Sequence, residues 1–109
     1  MIALLPSIQP WALYAVVAVF AIGTLVNLIA PGSLRQDYVR WGYPAGFNFV
    51  TAAFEAVTLA LLLLPATRLA GLILAGVIMI AAVATLVRAR EFAHTIPALI
   101  VLLVSALLL

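Results

Sequence analysis

Ala45-Gly-Phe-Asn48-Phe-Val-Thr51-Ala-Ala-Phe-Glu55-Ala-Val-Thr58-Leu-Ala-Leu-Leu-Leu-Leu64 runs between Pro44 and Pro65 with one charge in twenty residues. About 20 consecutive apolar residues are what an α-helix needs to cross the hydrocarbon of a bilayer. Glu55 is the eleventh residue of this stretch, close to its midpoint. An acid at that depth costs roughly 2.5–3.5 kcal/mol on insertion scales, so it faces a helix bundle or a hydrated cavity rather than lipid. Desolvation there favours the protonated acid, which can donate a hydrogen bond or exchange a proton.

The same helix carries Asn48, Thr51 and Thr58. With Glu55 they stand at i, i+3, i+7 and i+10, within about 80° of arc, and form one polar stripe. Such a stripe fits two uses: a polar-lined pocket for the head of a lipophilic ligand, or hydrogen bonds between helices without any ligand. For Glu55 the ligand or catalytic use is favoured, since intramembrane acids are functional by default. For Asn48, Thr51 and Thr58 taken alone, packing is favoured.

The rest of the chain agrees with a membrane setting. Of its 109 residues 69% are hydrophobic and 7% charged, with a mean hydropathy of +1.39. Soluble domains carry about 25% charged residues, so a water-facing surface is excluded. The pI of 9.7 reflects five Arg, no Lys and three acids scattered in ones and twos, which is no nucleic-acid footprint. Cysteine is absent, and with one His a transition-metal site is not expected.

Prolines and charges divide the chain into one domain, residues 1–109, with four spans at about 11–30, 45–64, 68–87 and 92–109. Residues 1–9, with Pro6 and Pro10 around them, are expected to lie along the membrane surface. The first apolar stretch lacks a basic leader and a small-residue cleavage site, so it is expected to be retained as a span. Residues 33–41 read as a short interfacial helix. Ser33 and Gln36 have capping-box spacing, and Leu34, Tyr38 and Trp41 share one face. Gly42 ends this helix, and Pro44 suits the first turn of the next. Thr67 is placed to cap the third span, and the tight Pro65-Ala66-Thr67 turn makes spans two and three antiparallel neighbours. The expected fold is all-α: an integral membrane, antiparallel four-helix bundle with an interfacial helix between its first two spans.

Arg35, Arg40, Arg88 and Arg90 fall in the first and third connections, against Arg68 alone on the side of the termini. The positive-inside rule then places both termini outside, in a multi-pass protein of a prokaryotic plasma membrane. Asn27 with Thr24, His94, and the aromatic group Tyr38, Trp41 and Tyr43 are further candidates. Packing, an interfacial position and a membrane-interface belt, respectively, are their plainest roles. Trp41 and Tyr43 would also roof the bundle mouth ahead of the Glu55 helix. In the third span Gly71-x-x-x-Ala75 and Gly76 allow close helix approach, either at the bundle centre or in a homodimer.

Trp41-Gly42-Tyr43-Pro44, Phe47, Glu55, Leu62-Leu-Leu-Pro65-Ala-Thr-Arg68, Gly71 and Met79, taken in order, resemble the DoxX-like family of small four-helix membrane proteins. The likeness covers about residues 38–105; the first span matches only in being hydrophobic. Ala52 stands where members often have Gly, and Leu86 where members often have His. If that His partners the Glu in relatives, only His94 could take its place here. The resemblance implies the fold more than a reaction, because relatives range from a subunit of an archaeal thiosulfate:quinone oxidoreductase to methylamine-utilisation maturation proteins and chaperone-like membrane proteins. The leading expectation is an accessory subunit that binds a quinone-like or other lipophilic molecule, or a lipid, and supports a partner oxidoreductase. Glu55 would be its polar anchor, supported by Asn48 and Thr51, with Trp41 and Tyr43 as portal. A membrane-embedded enzyme using Glu55 as general acid/base, and a structural or chaperone-like module, are the alternatives.

Overall fold

The computed structural model of the chain describes residues 9–108, and every element in that range is helical. Residues 1–8, on which the surface-lying expectation mostly falls, lie outside the described residues. Five α-helices follow in order: α1 (Gln9–Ile29), α2 (Gly32–Arg40), α3 (Phe47–Leu63), α4 (Arg68–Arg88) and α5 (Thr95–Leu108). Short 3-10 turns at Pro65–Thr67 and Phe92–His94 lead into α4 and α5. The stretches Pro10–Ile29 and Pro65–Arg88 are long and apolar enough to cross a membrane, while Phe47–Leu63 and Phe92–Leu108 are apolar but shorter.

Helix α1 packs on α3 and α5, and α4 packs on the same two, so the four longer helices close a ring. The α1 and α4 C-termini and the α3 and α5 N-termini share one end, where Arg40 and Trp41 bond Glu91 of the α4–α5 connection. Chain direction therefore alternates around the ring. At the close approach of α3 and α4, Gly71 is buried, and a Cβ there would stand 2.9 Å from the Leu62 backbone nitrogen. Gly71 and Ala75 thus serve contact within the chain.

Burial is inverted relative to a water-soluble bundle. Asn27, Asn48, Glu55, Thr58, Thr85, Thr95 and Ser105 are buried, while Ile22, Phe49, Phe54, Ile73, Ile80 and Leu103 are exposed. The apolar interior is a small cluster, Val16, Phe20, Leu62, Leu72 and Ala75. Water cannot be the solvent that favours this arrangement, since it leaves large aliphatic and aromatic side chains on the outside.

Several local expectations are corrected at the helix ends. Ser33 does not cap α2. Pro31, extended at φ −56° and ψ 156°, already holds the N-cap position, and no side-chain cap bond forms. Its carbonyl accepts from Leu34 and Arg35 at 2.9 and 3.1 Å. Pro44 is not in the first turn of α3, because Gly46 takes a left-handed conformation (φ 81°) and starts the helix at Phe47. Thr67 precedes α4 but points backwards, donating to Leu61 O at 2.9 Å, and Arg68 Nε donates to Leu62 O at 3.0 Å. Both satisfy carbonyls that the end of α3 leaves open. The final segment begins with a 3-10 turn, and α5 starts only at Thr95, whose hydroxyl bonds Phe92 O at 2.6 Å.

α2 and α4 end in the same way. Tyr43 N bonds Tyr38 O and Gly42 N bonds Val39 O, with Gly42 at φ 88°. Likewise Glu91 N bonds Leu86 O and Arg90 N bonds Val87 O, with Arg90 at φ 61°. This is the Schellman arrangement, in which a left-handed residue turns the chain sharply off the helix axis. The first instance aims Tyr43 back over α3, and the second aims Glu91 at α2.

Candidate functional site

Glu55 is 6% exposed and lies against α1. Its place there depends on Gly23, because a Cβ on Gly23 would collide with the Glu55 carboxyl. Asn27, one turn further along α1, uses both amide protons: Nδ2 donates to Gly23 O at 2.9 Å and to Glu55 Oε1 at 2.8 Å. Asn27 Oδ1 accepts from the Tyr38 hydroxyl at 2.6 Å, and Tyr38 stands 2.9 Å from Thr51 Oγ1. Asn48 Nδ2 donates to Asn27 O at 2.8 Å. A continuous hydrogen-bonded chain therefore runs from α2 through α1 to the middle of α3. Burial pushes the Tyr38 phenol above its usual pKa, against a smaller lowering by the Thr51 bond, so Tyr38 remains a donor.

On the opposite flank of α3 lies a cavity of about 340 Å³ between α3 and α4. Tyr38, Trp41 and Tyr43 line one end of it, with Thr51 of α3 and Thr85 of α4 at that level. Its deeper wall is apolar, including Phe54, Leu74, Val77 and Ile78. The aromatic end is interlocked: Tyr38 meets Trp41 and Tyr43 edge-on at 5.5 and 5.8 Å, and Tyr43 stacks on Phe47 at 4.4 Å. Tyr43 bonds Thr85, and Thr85 donates back to Ala81 O at 2.9 Å. Outside this roof, Arg40 reaches Glu91 at 2.6 Å and Asp37 at 2.9 Å, Trp41 Nε1 donates to Glu91, and Arg88 donates to Trp41 O at 2.7 Å. The Trp41 and Arg40 bonds hold the Glu91 carboxyl below the usual carboxylate range.

The single polar stripe is thus divided. Glu55, Asn48 and Asn27 meet at the α1 flank, and Glu55 does not line the cavity. Trp41, Tyr43 and Thr51 do line it, and Tyr38 joins the two regions. Thr58, fully buried, donates to Phe54 O at 2.8 Å and does not itself line the cavity. His94 is exposed in the α4–α5 turn, far along the chain from the Glu55 cluster, and does not replace a missing His partner. Leu86 is a cavity wall residue, and Ala52 is core.

Four contributors carried no functional reading in the sequence: Gly23, Tyr38 as a hydrogen-bonding hub, Thr85 and Glu91. Gly23 sits four residues before Asn27, and Thr85 is the lone hydroxyl near the end of an apolar span. Those are the signals that could have drawn attention to them.

The sequence model of the DoxX-like family matches residues 11–108, nearly the whole chain. The chain belongs to the DoxX-like family. The match takes in α1 as well, beyond the residues that carried the resemblance. No curated protein and no solved structure matches this DoxX-like chain. Family membership is consistent with its apolar exterior and with contact with a lipid bilayer.

Proposed function

We propose that this DoxX-like protein is a multi-pass membrane subunit that holds a lipophilic, quinone-like molecule in the cavity between α3 and α4. In this reading α1, α3, α4 and α5 span the bilayer as an antiparallel four-helix bundle, and α2 lies in the interface. The cavity carries the reading: it has an apolar depth and gathers its polar atoms at one aromatic-roofed end. That shape suits a ligand with an apolar body and a polar head, and the volume falls in the usual range for small-molecule sites, roughly 300–1,000 Å³. Glu55 is then an anchor one step removed. It orients Asn27, which orients Tyr38 in the cavity wall. Electrons would pass through the ligand and a partner oxidoreductase, not through side chains of this chain.

A general acid/base role needs Glu55 to touch a substrate, and its carboxyl instead abuts Gly23 and Asn27. The observations therefore favour the binding subunit over the enzyme. In lipid nanodiscs a diazirine-bearing quinol analogue, kept reduced, should label α3 and α4 peptides, and Ala81→Phe, which puts a ring into the cavity lining, should abolish that labelling. Labelling that survives Ala81→Phe defeats the proposal. The topology is tested separately in this cysteine-free chain. Arg68→Cys should react with impermeant reagents from outside and Arg90→Cys should not; the reverse pattern inverts the bundle.

A further inference from the structure

Five side chains that line the cavity carry a hydrogen-bond donor: Tyr38, Trp41, Tyr43, Thr51 and Thr85. Each of their protons already has an acceptor inside the protein. Trp41 Nε1 donates to Glu91 Oε2. Thr85 Oγ1 donates to Ala81 O at 2.9 Å, so the proton shared between Tyr43 and Thr85 belongs to Tyr43. Asn27 turns Nδ2 towards Gly23 O and Glu55 Oε1, both of which can accept from it. Its Oδ1 therefore faces Tyr38 and can only accept. The one phenolic proton of Tyr38 goes to that oxygen, 2.6 Å away. Thr51 then directs its own proton to Tyr38, at 2.9 Å, or to Phe47 O, at 3.3 Å.

What these groups leave for the cavity is lone pairs. A carbonyl or ether head placed among them finds no donor, whereas a head with its own proton finds several acceptors. Two chemical classes bring such a proton: hydroxyl compounds and ammonium compounds. The roof decides between them. The guanidinium groups of Arg88 and Arg40 each stand 5.9 Å from a lining ring, Tyr43 and Trp41 respectively. Arg40 is offset by Glu91 and Asp37, whereas Arg88 pairs with no carboxylate among the described residues, and its charge beside the Tyr43 ring disfavours a cationic head and is indifferent to a neutral hydroxyl.

We propose that the cavity selects a lipophilic alcohol or phenol over the corresponding ether or ketone. The inference rests on the ligand-binding reading above and narrows it: of a quinone-like couple the cavity favours the reduced quinol, whose hydroxyls bring protons, over the quinone, whose carbonyls bring none. Glu55 gains a role in selectivity from it, because through Asn27 it fixes which way the Tyr38 proton points.

The test uses Trp11→Phe protein in nanodiscs, which leaves Trp41, in the cavity wall, as the reporter tryptophan. para-Nonylphenol and its methyl ether are titrated, with partition into empty discs subtracted. The phenol should quench Trp41 at about fivefold to tenfold lower concentration than the ether, the worth of one net hydrogen bond. Thr85→Val keeps the shape but strips the Tyr43 proton of its acceptor, freeing it for the ligand, so the ratio should fall towards one. Equal saturable quenching by both probes in the Trp11→Phe protein overturns the hydroxyl preference and leaves the ligand reading standing. An unchanged ratio in Thr85→Val overturns the proton accounting behind that preference. Quenching by neither probe overturns both readings.

Discussion

The two flanks of α3 use similar residues to opposite ends. On the α1 flank an acid, two amides and a glycine close up until Glu55 is 6% exposed, and Glu55 does not line the cavity. On the α4 flank two Tyr–Thr pairs and a set of aromatic rings hold about 340 Å³ open. The difference lies in what faces the polar group. Gly23 has no side chain, so the Glu55 carboxyl can lie directly on the α1 backbone. Opposite Thr51 the aromatic rings are propped against each other and cannot fold down into the gap. Polarity inside a bundle of this kind therefore specifies neither packing nor a pocket; the size of the facing residue decides.

The most damaging way to break this comparison is to give the sealed flank a side chain it cannot hold. Gly23→Leu should cost about 3 kcal/mol of stability, the upper part of the usual overpacking range. Thermal unfolding in detergent is the measurement. The decisive control is Glu55→Ala, which removes the group that the new side chain meets. In that background Gly23→Leu should be milder by about 1–3 kcal/mol, the coupling expected of residues in contact. Equal cost in both backgrounds would mean that Gly23 serves something other than Glu55.

A smaller change tests whether the flanks communicate. Asn27→Leu leaves the Glu55 carboxyl and the Tyr38 hydroxyl without their partner in one step, at a cost of about 2 kcal/mol. Thr51→Val, which touches Tyr38 only from the cavity side, should cost clearly less. The informative readout is the phenol-to-ether ratio. Asn27→Leu releases the Tyr38 proton from α1, so that Thr51 and a ligand head compete for it, and should lower that ratio, although position 27 lines no part of the cavity. A ratio unaffected by Asn27→Leu would make the flanks independent.

The acid and amides of the sealed flank and the aromatic residues of the roof were legible in the sequence; which helix each of them faces was not. Glu55 announced itself as the one charge inside a span. The polar stripe also had the right period, but an 80° fan reads from spacing as a single surface, and in the bundle two neighbours divide it. Asn48 and Glu55 are about 20° apart at one edge, while Thr51 is about 40° further round, enough in a ring of helices to face a different partner. Tyr38 read as an interfacial anchor because its hydrogen bonds go to α1 and α3, eleven and thirteen residues away. Those contacts exist only once α2 has folded back. The turn that folds it back was visible in Gly42. Its twin after α4 was hidden, because Arg90 takes the left-handed position usually given to glycine. Glu91, aimed by that turn, consequently looked like an ordinary connection residue. The failed Ser33 cap has a similar origin, since a capping motif competes with the residues just before it and Pro31 was the better-placed start.

The mildest perturbation acts on the roof and leaves the sealed flank alone. Glu91 accepts from Trp41 and Arg40, and these bonds lower its pKa from the ordinary 4.5. A carboxyl with a depressed folded-state pKa contributes stability that is fully present above its unfolded value and is lost as the pH falls through the folded one. The clamp should therefore be intact above pH 4.5 and release in more acidic solution. In the Trp11→Phe protein this should appear as a shift of Trp41 emission, with a midpoint below that of a free carboxyl. Asp37 also pairs with Arg40, but it makes no bond to Trp41, so the emission follows Glu91. Glu91→Ala should show the released emission already at neutral pH, with no titration on acidification. Its effect on overall unfolding should be smaller than that of either α1 variant, because the pair is exposed and screened by salt. A Trp41 signal that titrates at or above pH 4.5 would show that Glu91 does not hold the roof. The cavity would then stay open through its aromatic packing alone.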